Sequence, residues 1–184
     1  MLTGRLPVRN GFYSDNYRGR NAYTPQNIMG GIRDSELLIS EALKKAGYST
    51  KLIGKWHLGH RAKFHPLRHG FDEWLGAPNC HFRYNGTTEP NIPVYRDKTM
   101  IGRYYEDFLI DWETKESNFT RLLTDEAVEY VGRAENSHKP FFLYWAPDAT
   151  HAPTYASKEF LHKSRRGQFI LNVLHAFHYQ SIIN

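Results

Sequence analysis

Cysteine and long apolar runs are both scarce in this chain of 184 residues. The single cysteine, Cys80, cannot form a disulfide within the chain, which excludes a small secreted module held together by disulfides. The longest uninterrupted apolar run, residues 141–146, is far shorter than the roughly 20 residues that span a bilayer, so we expect no membrane span. Internal repeats and low-complexity tracts are also missing, which excludes solenoids and fibrous proteins.

The first seven residues, Met1–Pro7, contain no apolar core of the kind found in a secretory signal peptide, and we expect none in this chain. Hydrophobic residues make up 40% of the sequence and aromatic residues 15%, which is enough to form a core. The net charge of +5 at pH 7 is compatible with a polyanionic partner but does not identify one.

The spacing of apolar residues predicts two helices, over 35–46 and about 119–135. Each is followed by a predicted strand, over 48–53 and 140–145, and we expect the second strand to be buried. Residues 54–111 predict mostly irregular structure with one short strand. Two helix–strand units in this order predict an α/β fold with parallel strands and with functional loops at their carboxyl ends.

The segment Gly47–Leu58 places a cation and an imidazole just beyond the first predicted strand, which ends at Gly54. If the extended backbone continues through Trp56, the alternation of side chains puts Lys55 and His57 on the same side. An ammonium and an imidazole that converge there would bind a tetrahedral oxyanion, and the imidazole could also move a proton. The alternative is that the pair is an ordinary polar exit from a strand.

A second candidate residue, His151, follows the other predicted strand. Pro147 and Pro153 flank it in the sequence and restrict the backbone of the loop. Such a stiff loop suits a general acid, which must keep its orientation toward the group that it protonates. The alternative is a histidine that only caps a turn.

Other histidines, arginines and asparagines support weaker hypotheses. The histidine and cysteine cluster matches no zinc template and contains no C-x-x-C pair, so we do not predict a zinc site. Arginines interleaved with tyrosines over 5–33 fit a nucleic-acid surface, a groove for an acidic carbohydrate or an ordinary solvated loop. Two N-x-[ST] segments make Asn85 and Asn118 candidate glycosylation sites. The members of the cluster are His57, His60, His65, His69, Cys80 and His81.

Three segments, taken in order, resemble signatures of the type I sulfatases. Gly47–Leu58 matches the second signature, in which G-[YV] and a hydroxyl residue lead to G-K, an aromatic residue and a histidine. Met1–Gly4 resembles the end of the first signature, which begins with C-x-P-S-R in the family, and Thr150–Pro153 resembles the loop of a later catalytic histidine. On this basis residues 1–167 form a partial catalytic domain and residues 168–184 a divergent tail.

The resemblance implies an α/β fold, an incomplete alkaline-phosphatase-like (sulfatase) domain with a central sheet of parallel type. It also implies hydrolysis of sulfate esters. Arg20–Gln26 and Pro90–Asp97 are similar to the branch that removes 6-sulfate groups from N-acetylgalactosamine and galactose units of chondroitin 6-sulfate and keratan sulfate. The resemblance therefore implies a sulfated glycosaminoglycan as partner, a lysosomal location and, for the full-length enzyme, a homodimer. Nucleic acid and membranes are not implied.

The resemblance also assigns roles to individual residues. Lys55 would contact the sulfate oxygens, His57 would hydrogen-bond a formylglycine hydrate, and His151 would donate a proton to the departing sugar hydroxyl. Lys55 and His151 would thereby also bind substrate, and Tyr23 matches a substrate-contacting residue of the pocket wall.

In the family, formylglycine is made from the cysteine of C-x-P-S-R, and acidic residues bind calcium. Neither that motif nor the family's calcium ligands occur in this chain, so no residue here is expected to bind a metal. We therefore predict that this chain alone is inactive, because it has no nucleophile to attack sulfur. The alternative is a non-catalytic fragment that binds an anion, a glycan or a partner subunit. A basic nucleic-acid-binding module is a third hypothesis.

Overall fold

The computed structural model describes residues 1–11, 30–79, 91–111, 113–148, 151 and 155–163. Within these residues the chain forms short and long α-helices, two single-turn 3-10 helices and five strands. In chain order they are α1 (Pro7–Asn10), α2 (Ile39–Lys45), β1 (Ser49–Gly54), the 3-10 helices Ala62–Phe64 and Pro66–Arg68, β2 (Glu73–Gly76), β3 (Pro93–Arg96), β4 (Thr99–Arg103), α3 (Phe119–Ser137) and β5 (Phe141–Ala146).

The strands form one sheet in the order β4-β3-β2-β1-β5. β1 pairs in parallel with both β2 and β5, which confirms the predicted parallel arrangement at the centre. β2 pairs with β3, and β3 with β4, in antiparallel register. The sheet is therefore mixed, with an antiparallel hairpin at one end of a parallel core.

The hairpin corrects the prediction that residues 54–111 contain only one short strand. β2 and β3 have four residues each and β4 has five. Asp97, in the two-residue turn of the hairpin, has a left-handed φ of 53°. It also accepts a hydrogen bond from the Trp74 N–H through Oδ1 at 2.8 Å and donates its own N–H to the Trp74 carbonyl at 2.7 Å. The strands are positioned partly by these hydrogen bonds between Asp97 and Trp74, which are distant in the sequence. The local spacing of apolar residues does not predict such bonds.

Helix α2 begins later than the predicted start at residue 35. Leu38 still has an extended backbone, with φ −90° and ψ 151°, and its N–H donates to the Glu41 carboxylate at 2.8 Å. Glu36, which falls within the predicted range, lies before the helix and pairs with Arg5 at 2.6 Å. The predicted helix end is confirmed, because Gly47 has a φ of 89° just beyond the helix.

Two apolar clusters lie on opposite faces of the sheet, since consecutive β1 residues alternate between them. Leu52 packs with Trp74 and with Leu38, at the start of α2, in one cluster. Ile53 packs with Phe119 of α3 in the other. The sheet thus lies between the two helices, in the layered α/β arrangement that the sequence predicts.

Helix α3, Phe119–Ser137, confirms the helix predicted over about 119–135. β5 also forms where it was predicted, but the expectation of full burial is wrong. Phe141 is 40% exposed and the rest of the strand is half-buried. The reason is its position, because β5 is the last strand of the sheet within the described residues and pairs only with β1 there.

A buried lysine on β1 links the sheet to α3. Lys51 is only 1% exposed, and its ammonium contacts Glu73 at 2.7 Å and also contacts Glu126. Arg133 of α3 donates to the same Glu73 carboxylate at 2.8 Å. The Arg133 hydrogen bond, together with that of Lys51, lowers the pKa of Glu73 to about 2. The carboxylate is therefore charged over the whole neutral and mildly acidic range.

Candidate active site

The loops that carry the candidate residues leave the sheet side by side. Gly54 at the end of β1 is in register with Ala146 at the end of β5. One step further, the Lys55 N–H donates to the Ala146 carbonyl at 2.9 Å. The structure therefore places the Lys55–His57 loop and the His151 loop at the carboxyl ends of adjacent parallel strands, where functional loops were predicted.

Glycine is required where these strands end. Gly54 has a φ of 106°, and a Cβ built on it would lie 1.9 Å from the Ala146 carbonyl oxygen. A Cβ on Gly76, at the end of β2, would lie 1.9 Å from the Gly54 carbonyl oxygen. Any side chain at either position would force the carboxyl ends of β1, β2 and β5 apart. The two glycines therefore allow these strand ends to lie close together at the candidate site.

Backbone hydrogen bonds hold the Lys55–His57 segment against the neighbouring strand ends. The Lys55 N–H points to β5, whereas the Trp56 N–H donates to the Ala77 carbonyl on the β2 side at 3.0 Å. The His57 N–H also turns to the β2 side, where it donates to the Pro78 carbonyl at 3.0 Å. His57 has a left-handed φ of 61°. The extended backbone, along which side chains alternate between the two faces, thus ends at Trp56. The alternation therefore does not determine whether the side chains of His57 and Lys55 lie on the same side.

Trp56 anchors the segment between the two ionisable residues. Its side chain is 3% exposed, and the indole N–H donates to the Phe64 carbonyl at 2.7 Å. The ring stacks on His69 and meets Phe71 edge to face. Lys55 and His57 are both partly exposed on either side of this buried anchor. The sequence thus positions two polar side chains by burying the residue between them.

A carboxylate that the sequence analysis missed supports the His151 loop. Asp148 accepts a hydrogen bond from the Tyr104 hydroxyl and another from the Thr120 hydroxyl at 3.3 Å. Burial raises the pKa of Asp148 and also raises that of Tyr104. The signal for Asp148 was its place in the sequence, two residues after the end of β5 and three residues before the candidate histidine.

The His151 backbone closes a turn, since its N–H donates to the Asp148 carbonyl at 3.2 Å. The residue is exposed. The alternative of a turn-closing histidine is therefore true of its backbone, and an exposed imidazole on this turn remains suited to a proton donor. Thr150 and Ala152–Pro153, the rest of the motif, lie outside the described residues, and the convergence of Lys55, His57 and His151 on one group stays a prediction.

Several other predicted residues can be placed only in part. Tyr23, Cys80, His81 and Asn85 lie outside the described residues. Asn118 is exposed at the start of α3, as a glycosylation acceptor requires, and its glycosylation stays a prediction.

Two histidines of the cluster, His65 and His69, serve local structure. His65 uses both ring nitrogens, with Nε2 3.0 Å from the Asp97 carbonyl and Nδ1 accepting from the Leu67 N–H at 3.2 Å. His69 is buried against Trp56. In the described part of the chain, no three histidine, cysteine, aspartate or glutamate residues form a group that could hold a metal ion. The described residues therefore offer no fit for calcium.

Comparison with known proteins identifies close relatives. A family model described as Sulfatase matches residues 1–179. Human N-acetylgalactosamine-6-sulfatase is 62% identical over 170 residues, which cover 92% of this chain and 32% of that protein. The mouse protein of the same name is 61% identical, with 92% and 33% covered. An arylsulfatase of Hemicentrotus pulcherrimus is 33% identical over 183 residues, with 95% and 31% covered. This chain spans about a third of the length of these relatives.

Solved structures share the fold. The crystal structure of Ps i-CgsB superposes with a TM-score of 0.70 at 24% identity and covers 95% of this chain and 40% of its own. That of the PsFucS1 sulfatase from Pseudoalteromonas sp. has a TM-score of 0.63 at 21% identity, with 97% and 40% covered. At these identities the likeness concerns the fold alone, and it confirms the fold expected from the sequence. None of the helices that the structure describes combines the length and apolar character needed to cross a bilayer.

Proposed function

The chain belongs to the sulfatase family, and from this premise we propose that its loops bind and help to cleave a 6-sulfate ester on a glycosaminoglycan. One observation supports the proposal most directly. The two loops with the family's lysine and histidine motifs leave adjacent parallel strands, and the Lys55 N–H bonds the last carbonyl of β5 at 2.9 Å. The names of the mammalian relatives, N-acetylgalactosamine-6-sulfatase, support a 6-sulfated sugar as substrate.

Each residue has a distinct role in this proposal. Lys55 supplies a fixed positive charge to the sulfate oxygens and stabilises the charge that develops as the ester bond breaks. His151 donates a proton to the departing sugar hydroxyl, which its exposed position permits. His57 would supply a hydrogen bond to the formylglycine of the complete enzyme. Tyr23 contacts the sugar from the pocket wall.

The complete protein would add the parts that this chain lacks. The sequence contains no C-x-P-S-R segment, so it has no residue that could become formylglycine, the nucleophile of the family. We propose that chain 1–184 binds a sulfated sugar without turning it over, and that calcium is bound by residues of the complete protein. Residues 1–167 would be the part of the catalytic domain present here, with 168–184 as a tail of different sequence.

The cellular setting follows from the same proposal. Keratan sulfate and chondroitin 6-sulfate would be the polymeric substrates, the lysosome would be the compartment, and the full-length enzyme would act as a homodimer. The basic net charge of +5 supports a polyanionic substrate, since it favours the approach of such a polymer.

The test is binding of N-acetylgalactosamine 6-sulfate to the chain, measured by calorimetry beside unsulfated N-acetylgalactosamine. We expect only the sulfated sugar to bind, and we expect Lys55→Ala to weaken it about tenfold, the effect of losing one charge-assisted contact. Lys45→Ala is the matched control, because this exposed lysine lies in the last turn of α2 and leads into the amino end of β1. Equal binding of both sugars, or equal losses in the two variants, would contradict the proposed site.

A turnover assay is the second part of the test of the proposed function. A chromogenic 6-sulfated galactoside incubated with chain 1–184 should release no sulfate. Measurable turnover that disappears in Lys55→Ala would show that the chain is active by itself and would overturn the proposal that it only binds. The transcript sequence upstream of Met1 gives an independent check, because an in-frame C-x-P-S-R there would supply the missing nucleophile.

A further inference from the structure

A large cavity opens on the α2 face of the sheet, beside the candidate active site. Its volume is about 640 Å³, within the usual range for pockets that bind small organic ligands. Residues of α2, both 3-10 helices, β2 and the β3–β4 hairpin line it. The floor contains the buried rings of Trp56, Phe71 and Trp74, and the half-buried Tyr95 lies at its side. We call this space the basic cavity, because several cationic side chains line it.

Cations dominate the rim of the basic cavity. Lys44, Arg61, Arg68 and Lys98 all line it and are all exposed. The acidic side chain in the described lining is Asp72, and Lys44 already neutralises it through a 2.6 Å ion pair. The rim therefore keeps an excess of positive charge, which would attract an anion into the cavity.

Arg68 and Lys98 line the basic cavity from separate elements. Arg68 ends the second 3-10 helix and Lys98 lies in the turn of the β3–β4 hairpin. His65 lies near both, and burial lowers its pKa while the charges of Lys98 and Arg68 lower it further. Neither cation has an ion-pair partner among the described residues. Two cations that line one cavity without an ion-pair partner in the described part of the chain suit a bound anion.

The basic cavity adjoins the candidate active site along the chain and in space. Trp56, which forms part of its floor, lies between Lys55 and His57. Pro78, another lining residue, accepts the hydrogen bond of the His57 N–H at 3.0 Å. A polymer bound at Lys55 and His57 would therefore have the basic cavity as its immediate neighbour.

We propose that the basic cavity is a second subsite, which binds a further sulfated sugar unit of the same glycan chain. The partly exposed ring of Tyr95 suits the apolar face of a pyranose, and the cations of the rim suit its sulfate or carboxylate groups. The choice of a sulfated glycan over other polyanions rests on the proposed function. The subsite itself is separate from the Lys55 group and would contribute affinity for oligosaccharides rather than for a single sugar.

The test compares two ligands and two double variants of the chain. The ligands are a chondroitin 6-sulfate hexasaccharide and the monosaccharide N-acetylgalactosamine 6-sulfate. Arg68→Ala/Lys98→Ala removes two cations from the rim, whereas Lys45→Ala/Lys139→Ala removes two exposed cations near the amino ends of the strands. Both variants have the same net charge, so a general loss of polyanion attraction affects them equally.

We expect Arg68→Ala/Lys98→Ala to weaken the hexasaccharide about tenfold, from two exposed ion contacts, and to leave the monosaccharide unchanged. The control variant should change neither ligand by more than about twofold. An equal loss in both variants, an unchanged hexasaccharide affinity or an absence of hexasaccharide binding would overturn the subsite. Failure of Lys55→Ala to weaken the monosaccharide would instead count against the proposed function, so the two failures are distinguishable.

Two further measurements distinguish binding in the basic cavity from a general attraction of polyanions to the basic chain. The indole N–H resonances of Trp56 and Trp74 should shift on addition of the hexasaccharide, and they should shift less in Arg68→Ala/Lys98→Ala. A single-stranded DNA of matched charge should bind at least about tenfold more weakly than the hexasaccharide. DNA that binds equally well and shifts the same indoles would assign the cavity to nucleic acid and overturn the proposal.

Discussion

The loops that leave β1 and β5 lie next to each other but are held in different ways. The β1 exit is fixed by steric fit, with Gly54 pressed against the Ala146 carbonyl and Trp56 buried beneath the turn. The β5 exit is fixed by a carboxylate, since Asp148 gathers the Tyr104 and Thr120 hydroxyls under the turn that carries His151. The first loop should therefore be sensitive to added volume, and the second to loss of hydrogen bonds and to pH.

The largest effect is expected from volume at the β1 exit. Gly54→Ala should lower the free energy of unfolding by about 3 kcal/mol or more, because the new Cβ meets a backbone oxygen and the residue must keep a left-handed φ. Gly47→Ala is the matched control, since Gly47 has a φ of 89° but nothing within 4 Å of an added Cβ. It should lose only about 1 kcal/mol. Urea unfolding measures both, and equal losses would show that the close contact with β5 is unimportant.

A smaller effect is expected from the carboxylate at the β5 exit. Asp148→Ala should cost about 1–3 kcal/mol, because it leaves the buried Tyr104 hydroxyl without its acceptor. Asp148→Asn keeps one acceptor oxygen and should cost less. The amide resonance of His151 should shift in Asp148→Ala and much less in Asp148→Asn. If the two variants behaved alike, the carboxylate would not be what holds this turn.

The smallest effect concerns pH and a carboxylate below the β1 exit. The pKa of Glu73 falls from 4.5 to about 2 on folding, so its contribution is complete above pH 4.5 and is lost as the pH falls toward 2. Asp148 has a raised pKa and the opposite sign, with stability lost as the pH rises through the interval above 3.8.

Glu73→Gln should reduce the acid-side loss of stability and cost about 1 kcal/mol at pH 7, since Arg133 and Glu73 are partly exposed and the buried Lys51 keeps its contact with Glu126. Glu113→Gln, which removes an exposed carboxylate outside this network, is the control. Thermal melts between pH 2 and pH 7, on the order of one per pH unit, would measure the slopes. An unchanged acid-side slope in Glu73→Gln would contradict the assignment of that slope to this ion pair.

Much of the fold could be predicted because its main elements have strong local patterns. The 19-residue α3 and the β1 strand with its terminal glycine both formed where the apolar spacing placed them. The start of α2 was missed because Leu38 packs in the core with an extended backbone, which the spacing of apolar residues does not reveal. The β3–β4 hairpin was missed because its short strands depend on pairing with β2 and on the bonds between Asp97 and Trp74.

The candidate site, like the fold, could be predicted from the sequence only in part. The sequence located Lys55, His57 and His151 by motif, but it could not reveal that the β1 exit turns at His57 or that Asp148 lies beneath the other loop. The period-two argument failed to reach His57 because its N–H bonds the β2 side, a partner more than 20 residues away in the chain. The basic cavity could not be predicted either, because only folding brings Arg68 and Lys98 to the lining of one cavity.

The amino-acid order alone indicated the sulfatase family, because Lys55, His57 and His151 lie in segments that resemble its signatures. Tertiary structure decided how those groups are held and what surrounds them. Spacing along a chain is a local property. The other features require segments distant in sequence to meet: the close contact of Gly54 with the Ala146 carbonyl, the Asp148 carboxylate that accepts from two hydroxyls, and the cations around the basic cavity.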